Sequence, residues 1–533
     1  MSESVFDVVG RVPALAQNLV RRACIGDVPT RGAQHYGDRV AIVDGNESVS
    51  YRQLEARANS VARGLLAEGL GRGDRLAIVA PNSWQFVVTY LACAKTGVVF
   101  MPINLGLSPE EISYQLVDAA VAAVVVDETI LGRVQDAVQR ASLAPRLFVL
   151  GAGGVIDGPS TGWDQLLEHD PSAVEVIVED TDVVHCLYTS GTTSSPKGVL
   201  TSHSSVLIAI LASVIEFQHR RDVHGSVMPI VLPMFHVTAL DALMMPVLAS
   251  GGTALLYRSF DAAVIVDDLE RRDVSHLVLL PMMWEALLAE IHRRHVKPES
   301  LRRGVYAMAP MSLESLDALR QAFPGADFVL ASGMTETTPT SEMQWAGHQR
   351  DKHGAWGSPS ITSDVRIMGQ DGTILGPGEM GEIVYRTPQL MTEYWNKPEA
   401  NGEAFAHGWF HSGDVGYVDQ DGVVWFADRL KDIVKSGGEN VSTLEVEQVV
   451  GAFPGVRECA VIGRPHERWG EAVTAVVVPD NGVDIDEAAL TGFCKERLAG
   501  YKVPKEVVLL EALPRTQTGK VEKHKLRHTL RAL

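Results

Sequence analysis

Cysteine is scarce in this chain. Five thiols, Cys24, Cys93, Cys186, Cys459 and Cys494, are scattered over 533 residues with no C-x-x-C spacing. An odd, unpaired set excludes a disulfide framework and a zinc ribbon as organising devices, and it fits a reducing, cytoplasmic setting. Cys93 and Cys186 lie in apolar runs and are expected to be buried as small hydrophobes. Long apolar runs are also missing. No stretch of about 18 apolar residues free of charge occurs, so no transmembrane segment is expected. Positive charge is in deficit: 47 Lys and Arg face 66 Asp and Glu, for a net charge of -19. That balance argues against a general nucleic-acid binder. The start, MSESVFDVVGRVPALAQ, has neither a basic head nor a long apolar stretch, so no secretory signal is expected. The final HTLRAL carries no prenylation or peroxisomal tripeptide.

What is present is an alternation. GDRLAIVA (73–80) reads as a buried strand. NSWQFVVTYLACAKTG follows as a helix, with Asn82 or Ser83 as its cap and Gly97 at its end. SPEEISYQLVDA opens with Ser108 as cap and acids in its first turn, and AAVVVD is another strand. The rhythm continues through VMPIVLPMF, TALLY, HLVLLP and ADFVLAS. Such βαβ alternation predicts an α/β fold of parallel sheets covered by helices. From about 365 to 430 the texture changes. Gly-rich turns (QDGTILGPGEMGE, DQDG) separate short strands such as EIVYR and VVWFAD, which predicts an antiparallel sheet or small barrel. After Arg429 the chain reads as a compact α+β unit of about a hundred residues. The predicted organisation is a large domain over 1–428 and a small domain over 429–533, with the boundary near 428–432.

The densest signal is YTSGTTSSPKGVLTSH (188–203). Hydroxyls, Gly N–H groups and one Lys are donors suited to phosphate oxygens. The segment is not the G-x-x-x-x-G-K-[ST] loop, because Pro196 precedes Lys197 and keeps Ser195 out of helical angles. Ser/Thr/Gly clusters are more often linkers. Here, however, VVHCLYT runs in as a strand and GVLTSHSSVLIAILASVIEF runs out as a helix entered near Ser202. Strand, loop, helix is a suitable frame for an anion.

Other stretches gain meaning together: LPMFHVT (232–238), YAMAPMS (306–312), ASGMTETTP (331–339), HSGD (411–414), DRLKDIVKSGGEN (428–440), YKVPK (501–505) and PRTQTGKVEK (514–523). Singly, His236 reads as a core histidine, Glu336 as a helix-start acid, Asp414 as a turn residue and Lys520 as a solvated lysine. In this order they resemble the adenylate-forming superfamily, which holds acyl-CoA synthetases, amino-acid adenylation domains and beetle luciferases. The resemblance runs from about residue 30 to the C-terminus and is strongest to the acyl-CoA synthetase, or fatty-acid–CoA ligase, branch.

That resemblance implies two half-reactions. A carboxylate attacks the α-phosphate of ATP, giving acyl-AMP and pyrophosphate; a thiol, that of coenzyme A, then displaces AMP. It implies that Thr189, Ser190, Gly191, Thr192, Thr193 and Lys197 wrap the β- and γ-phosphates, by donors aimed at developing charge. Glu336 would hold Mg²⁺, which needs only a carboxylate or two beside phosphate oxygens and water, and Thr335 would touch phosphate. Ala309 and Pro310 would line the adenine pocket with Ser332, Gly333 and Met334. Asp414 would accept the ribose hydroxyls with Arg429 nearby, and Lys520 would bridge carboxylate and α-phosphate. The family rotates its small domain between steps, and Lys431 matches the hinge. Lys435, Ser436, Gly437, Gly438 and Glu439 would then line a thiol channel, and Lys520 would leave the site. His236, Val237, Trp284 and Ser332 are expected on the acyl side, although Trp284 reads equally as ordinary core, with His236, Thr335 and Glu336 joining Lys520 as the catalytic set.

One residue departs from the pattern. Many relatives have an aromatic before Gly-Met-Thr-Glu where this chain has Ser332, so an adenine-stacking contact worth about 1 kcal/mol is absent and space opens on the acyl side. Amino-acid adenylation domains usually carry Asp in F-D-x-S to hold an ammonium. The matching FHVT has His236 there, which favours a plain carboxylic acid. Two alternatives stand beside the ligase: an adenylating enzyme that loads a separate carrier protein, and a non-catalytic acyl- or nucleotide-binding relative. A homodimer is compatible with the sequence.

Overall fold

The computed structural model describes residues 12–151, 160–189, 196–222, 224–307, 310–436, 439–466, 468–515 and 521–531. Contacts group the chain into two units. The larger contains the residues up to Thr189, Pro196–Asp364 and Arg386–Gly402; the smaller contains Val365–Tyr385 and the chain from Glu403 onward.

In the larger unit, valine-rich segments become strands buried on both faces, as parallel sheets require. Arg75–Val79, Val99–Pro102, Ala123–Asp127, Arg146–Leu150 and Ser160–Gly162 are joined by parallel pairing, and Val183–Thr189 pairs parallel with Val99–Pro102. This eight-stranded sheet ends in an antiparallel edge. Lys197–Ser202 pairs with Val183–Thr189, and the two-residue strand Glu393–Tyr394 pairs in turn with Lys197–Ser202. A five-stranded sheet places His276–Leu279, Arg303–Ala307 and Asp327–Gly333 in parallel and adds Thr340–Gln344 and Ser358–Pro359 antiparallel. A four-stranded sheet runs Val227–Ile230, Thr253–Leu256, Val40–Asp44, Glu47–Ser50. Tyr90, Phe100, Trp163 and Trp284 are fully enclosed in the core that these elements share.

The helix ends follow their local chemistry. The Ser83 side chain accepts the Phe86 N–H, and the helix Trp84–Thr96 stops at Gly97 with φ 72°. Ser108 and Glu111 form a reciprocal capping box on Pro109–Asp118. Ser202 caps His203–Glu216. That helix does not follow the Ser/Thr-rich loop directly, as the sequence suggested. The strand Lys197–Ser202 comes between, so residues 190–195 join two antiparallel strands. Val199 and Leu200 are both buried, one on each face of the sheet edge, which is why the apolar run blends with the helix that follows.

In the smaller unit, Asp364–Met368, Gly381–Arg386, Phe410–Val418 and Val424–Arg429 form a four-stranded sheet, antiparallel along its last three strands. Beyond it, the long hairpin Val456–His466 and Gly470–Pro479 carries Val434–Ser436, Glu439–Val441 and Glu506–Leu509 at its edges. The helices Thr443–Gly451 and Glu487–Lys495 contribute Val446, Val450, Leu490 and Cys494 to its core. All five cysteines are free, and burial pushes the Cys186 thiol up to about 12. Among the described residues no helix is long and apolar enough to cross a membrane.

Two buried imidazoles make stability depend on pH. His203 accepts the Ile25 N–H at Nδ1, and His276 lies between Ser275 Oγ and the Phe217 carbonyl. Burial lowers each from 6.5 to about 4. The folded protein therefore resists a proton that the unfolded chain takes up near 6.5. Their contribution is complete above that pH and is lost as the pH falls toward 4, at about 1.4 kcal/mol per unit of difference for each group. His203→Gln keeps an acceptor for Ile25 and should flatten the fall in urea-unfolding free energy between about pH 7 and pH 4.5 by about 2 kcal/mol. Parallel curves for the variant and the parent would exclude His203 as a source.

Candidate active site

The Ser/Thr-rich segment hangs from a fixed pair of strand ends. Thr189 lies opposite Lys197, and Tyr188 opposite Gly198. Ser190, Gly191, Thr192 and Thr193 lie outside the described residues. The base of the hairpin is braced by groups distant in sequence. Tyr114 donates to the Pro196 carbonyl at 3.1 Å. Asp118 accepts from Tyr188 Oη at 2.7 Å and Lys397 Nζ at 2.9 Å, and its carbonyl accepts the Trp395 indole N–H. The hydrogen bond from Lys397 raises that ammonium above its ordinary pKa. Neither Asp118 nor Lys397 stands out in the sequence, and Tyr188 enters there only as the residue that opens the loop segment.

Glu336 reaches this hairpin from another sheet. The strand Asp327–Gly333 ends in a tight turn, and Thr335–Thr337 form one 3₁₀ turn. Thr337 Oγ1 donates to the Pro339 carbonyl, and Gln389, buried, donates to the carbonyls of Thr337 and Thr340. The Glu336 carbonyl accepts the Met391 N–H at 2.7 Å. Its carboxylate accepts the Tyr394 hydroxyl at 2.7 Å, and Lys197 Nζ stands 4.7 Å from the centroid of the same ring. Two residues picked out separately, Lys197 and Glu336, thus meet on Tyr394, which the sequence reading missed. The signal for it was the turn-and-strand segment MTEYW, too short to read as part of a sheet. Ser332 and Thr335 are half-buried beside this turn. A lone oxygen carboxylate held at one atom suits a hard cation that brings phosphate and water as its other ligands, so the residues fit Mg²⁺.

On the candidate acyl side, His236 is accessible to solvent, yet enough protein surrounds it for desolvation to lower its pKa. Val237 is buried behind it. The π-helix Thr238–Met244 follows, and its Asp241 is fully buried, bonded to His185 Nε2 at 2.8 Å and to Tyr90 Oη at 3.1 Å. His185 belongs to the strand that ends at Thr189, so one buried carboxylate joins the phosphate-loop strand to the segment after His236. Trp284 does not line an accessible pocket. It is fully enclosed, donates its indole N–H to the Val305 carbonyl and packs edge-on to Phe323 and Phe328. The acyl-side placement expected for Trp284 gives way to a place in the core. Pro310 is exposed, and Ala309 lies outside the described residues.

In the smaller unit, Asp414 is fully buried opposite Arg429, whose Nε stands 2.7 Å from its carboxylate. Ser412 Oγ accepts the Asp414 N–H and donates to the Ile383 carbonyl, which fixes the turn of HSGD. Asp428, next in the strand, accepts from both the N–H and the hydroxyl of Thr443, and Lys523 bridges Thr443 and Glu447. Lys431, Lys435 and Glu439 are exposed and Ser436 is buried; Gly437, Gly438 and Lys520 lie outside the described residues.

Gly333 tests how tightly the Glu336 turn is set. A Cβ at Gly333 would fall 1.6 Å from the Pro339 carbonyl oxygen. Gly333→Ala should therefore cost about 3 kcal/mol or more in denaturant unfolding, because backbone rather than a side-chain tip must move. A loss below about 1 kcal/mol would mean that the turn relaxes freely.

The AMP-binding enzyme family model matches residues 30–395, and the AMP-binding enzyme C-terminal domain model matches 445–520. The chain is 35% identical to a feruloyl-CoA synthase of an Amycolatopsis species, over 95% of this chain and 99% of that protein. It is 35% identical to the long-chain-fatty-acid–CoA ligase FadD13 of Mycobacterium tuberculosis, over 90% of this chain and 92% of that one. Among solved structures, ATP-bound MatB from Rhodopseudomonas palustris superposes with a TM-score of 0.85 at 29% identity, covering 96% of this chain and 99% of that chain. With both domain models matched in order and near full-length similarity to CoA ligases, the chain belongs to the AMP-binding enzyme family, in the acyl-CoA synthetase branch of the adenylate-forming superfamily.

Proposed function

We propose that this chain is an AMP-forming carboxylate–CoA ligase. It joins a carboxylic acid to ATP as acyl-AMP, releases pyrophosphate, and passes the acyl group to coenzyme A. The observation that supports this most is the grouping of Lys197, Tyr394 and Glu336 at the hairpin that holds the Ser/Thr-rich loop. A phosphate-loop cation and a metal-type carboxylate stand on one aromatic ring, as polyphosphate chemistry needs.

The roles follow. Thr189, Ser190, Gly191, Thr192, Thr193 and Lys197 receive the β- and γ-phosphates, and Glu336 holds Mg²⁺. When bound, Mg²⁺ neutralises phosphate charge and orients the departing pyrophosphate. Ala309, Pro310, Ser332, Gly333 and Met334 border the adenine, with no aromatic at Ser332 to stack on it. Thr335 touches phosphate, and Asp414, fixed by Arg429, takes the ribose. Lys520 brings positive charge to the carboxylate and α-phosphate as the new P–O bond forms. The thiol then attacks the acyl carbonyl and AMP leaves. For that step Lys435, Ser436, Gly437, Gly438 and Glu439 form the thiol channel, and Lys431 is the hinge between a large domain over 1–428 and a small one over 429–533.

The acid is a plain carboxylate. The lowered pKa of His236 keeps its imidazole neutral near pH 7, a poor partner for the ammonium of an amino acid. With Trp284 assigned to the core, His236, Val237 and Ser332 remain as the acyl-side residues. The similar proteins span aryl and long-chain aliphatic acids, and both classes belong in a first screen. Coenzyme A is favoured over a carrier protein because relatives at 33–35% identity are CoA ligases, while a fatty acid–[acyl-carrier-protein] ligase of Streptomyces coeruleorubidus is 32% identical. Free thiols throughout fit action in the cytoplasm.

Lys520→Ala separates the half-reactions. It should lower acyl-AMP formation by about a thousandfold, as loss of a transition-state charge contact does. Thioester formation from supplied acyl-AMP and coenzyme A should persist. Equal loss in both assays would contradict the assignment of Lys520 to the first step alone.

A further inference from the structure

The metal carboxylate and the phosphate-loop cation could have neutralised each other. Lys197 and Glu336 carry opposite charges and both touch Tyr394, yet among the described residues no ion pair joins them. Instead each engages a different part of the same side chain. The hydroxyl donates to Glu336 Oε1 at 2.7 Å, and the ring stands 4.7 Å from Lys197 Nζ. The phenol satisfies one carboxylate oxygen, and among the described residues Oε2 has no other hydrogen bond. The ring holds the ammonium by its electron-rich face, a weak attraction that consumes none of its three donors.

Tyr394 is itself held on both sides. It pairs with Val199 on the strand that begins at Lys197. The neighbouring Thr392 N–H donates to the Leu200 carbonyl at 2.7 Å, and the Trp395 N–H donates to the Gly198 carbonyl at 2.8 Å. Asn401 accepts the Tyr394 N–H and donates to its carbonyl. The side chain is only 8% exposed. Its hydroxyl is therefore a fixed point to which Glu336, in the turn that follows a strand of another sheet, is tied. Groups held in place by their neighbours need less reorganisation when charge arrives.

We propose that Tyr394 is a positioning residue for the metal–nucleotide complex. Its hydroxyl turns Glu336 so that one carboxylate oxygen faces the cation. Its ring keeps the Lys197 ammonium apart from that carboxylate and free to donate to phosphate. This rests on the reading of Glu336 as the Mg²⁺ ligand and Lys197 as a phosphate ligand.

Calorimetric binding of α,β-methylene-ATP, with Mg²⁺ and in EDTA, tests it without turnover. Each protein is compared with itself, so a partial loss of folded material cancels. In the parent, Mg²⁺ should tighten binding. In Tyr394→Phe, which keeps the ring, that gain should fall about tenfold, the effect of one charge-assisted hydrogen bond. Affinity in EDTA should stay within about twofold, because the ring still holds Lys197. In Glu336→Gln the gain should be lost, and adding Tyr394→Phe to it should change the ratio no further, as expected of coupled groups. A Tyr394→Phe protein with the full parental gain would overturn the positioning role while leaving the ligase reading intact. A Glu336→Gln protein with the full gain would overturn the metal assignment on which the proposal rests.

Discussion

Polyphosphate carries several negative charges, and a loop of hydroxyls and glycines cannot meet them unless its two ends are held. Here the holding element is the antiparallel pair that closes an otherwise parallel sheet. Thr189 faces Lys197 across one register, and residues 393–394 extend the edge by two more positions. Every group assigned to phosphate or metal in the larger unit is referred to that edge. Lys197 begins its second strand, Tyr394 is zippered to it, and Glu336 is tied to Tyr394. Asp118, with Tyr188 and Lys397 on its carboxylate, locks the base from behind. A one-residue slip would reverse the faces of Lys197 and Val199 together, so the buried Val199 and Leu200 set the position of the cation as well as the core.

The residues proposed for the chemistry fall in both units. The larger unit supplies rigid donors on strand ends, where the backbone is fixed by sheet pairing. The smaller unit supplies charges that are already paired: Asp414 with Arg429, and Lys523 with Glu447. Removing Arg429 would leave the fully buried Asp414 carboxylate uncompensated, which costs more than losing both charges together. This argues for substitutions that preserve shape and hydrogen bonding when roles in this unit are probed.

Features governed by neighbours in sequence were legible. Ser83, Gly97, Ser108 and Ser202 act at the helix ends because a cap is decided within about four residues. The motif order disclosed the family and singled out Lys197, Glu336, Asp414 and Arg429 as candidates. Features governed by distant contacts were hidden. Lys197–Ser202 does not read as a strand because it runs straight into the apolar helix that Ser202 caps, and Glu393–Tyr394 is two residues long. Tyr394 and Asp118 matter through partners about 60 to 280 residues away. Trp284 was misassigned for a related reason: a large apolar residue on a helix suits a pocket wall and a core equally, and only its enclosure by Val305, Phe323 and Phe328 decides.

In the proposed reaction the acid's own oxygen bonds to the α-phosphorus of ATP and leaves on AMP. An acid labelled with ¹⁸O in its carboxylate, chosen as the best substrate from an aryl and aliphatic panel, tests this by mass spectrometry of the products. Activation as acyl-AMP followed by thiol attack places one ¹⁸O in AMP and none in pyrophosphate. Label in inorganic phosphate with ADP as the nucleotide product, or unlabelled AMP beside labelled thioester, would contradict it.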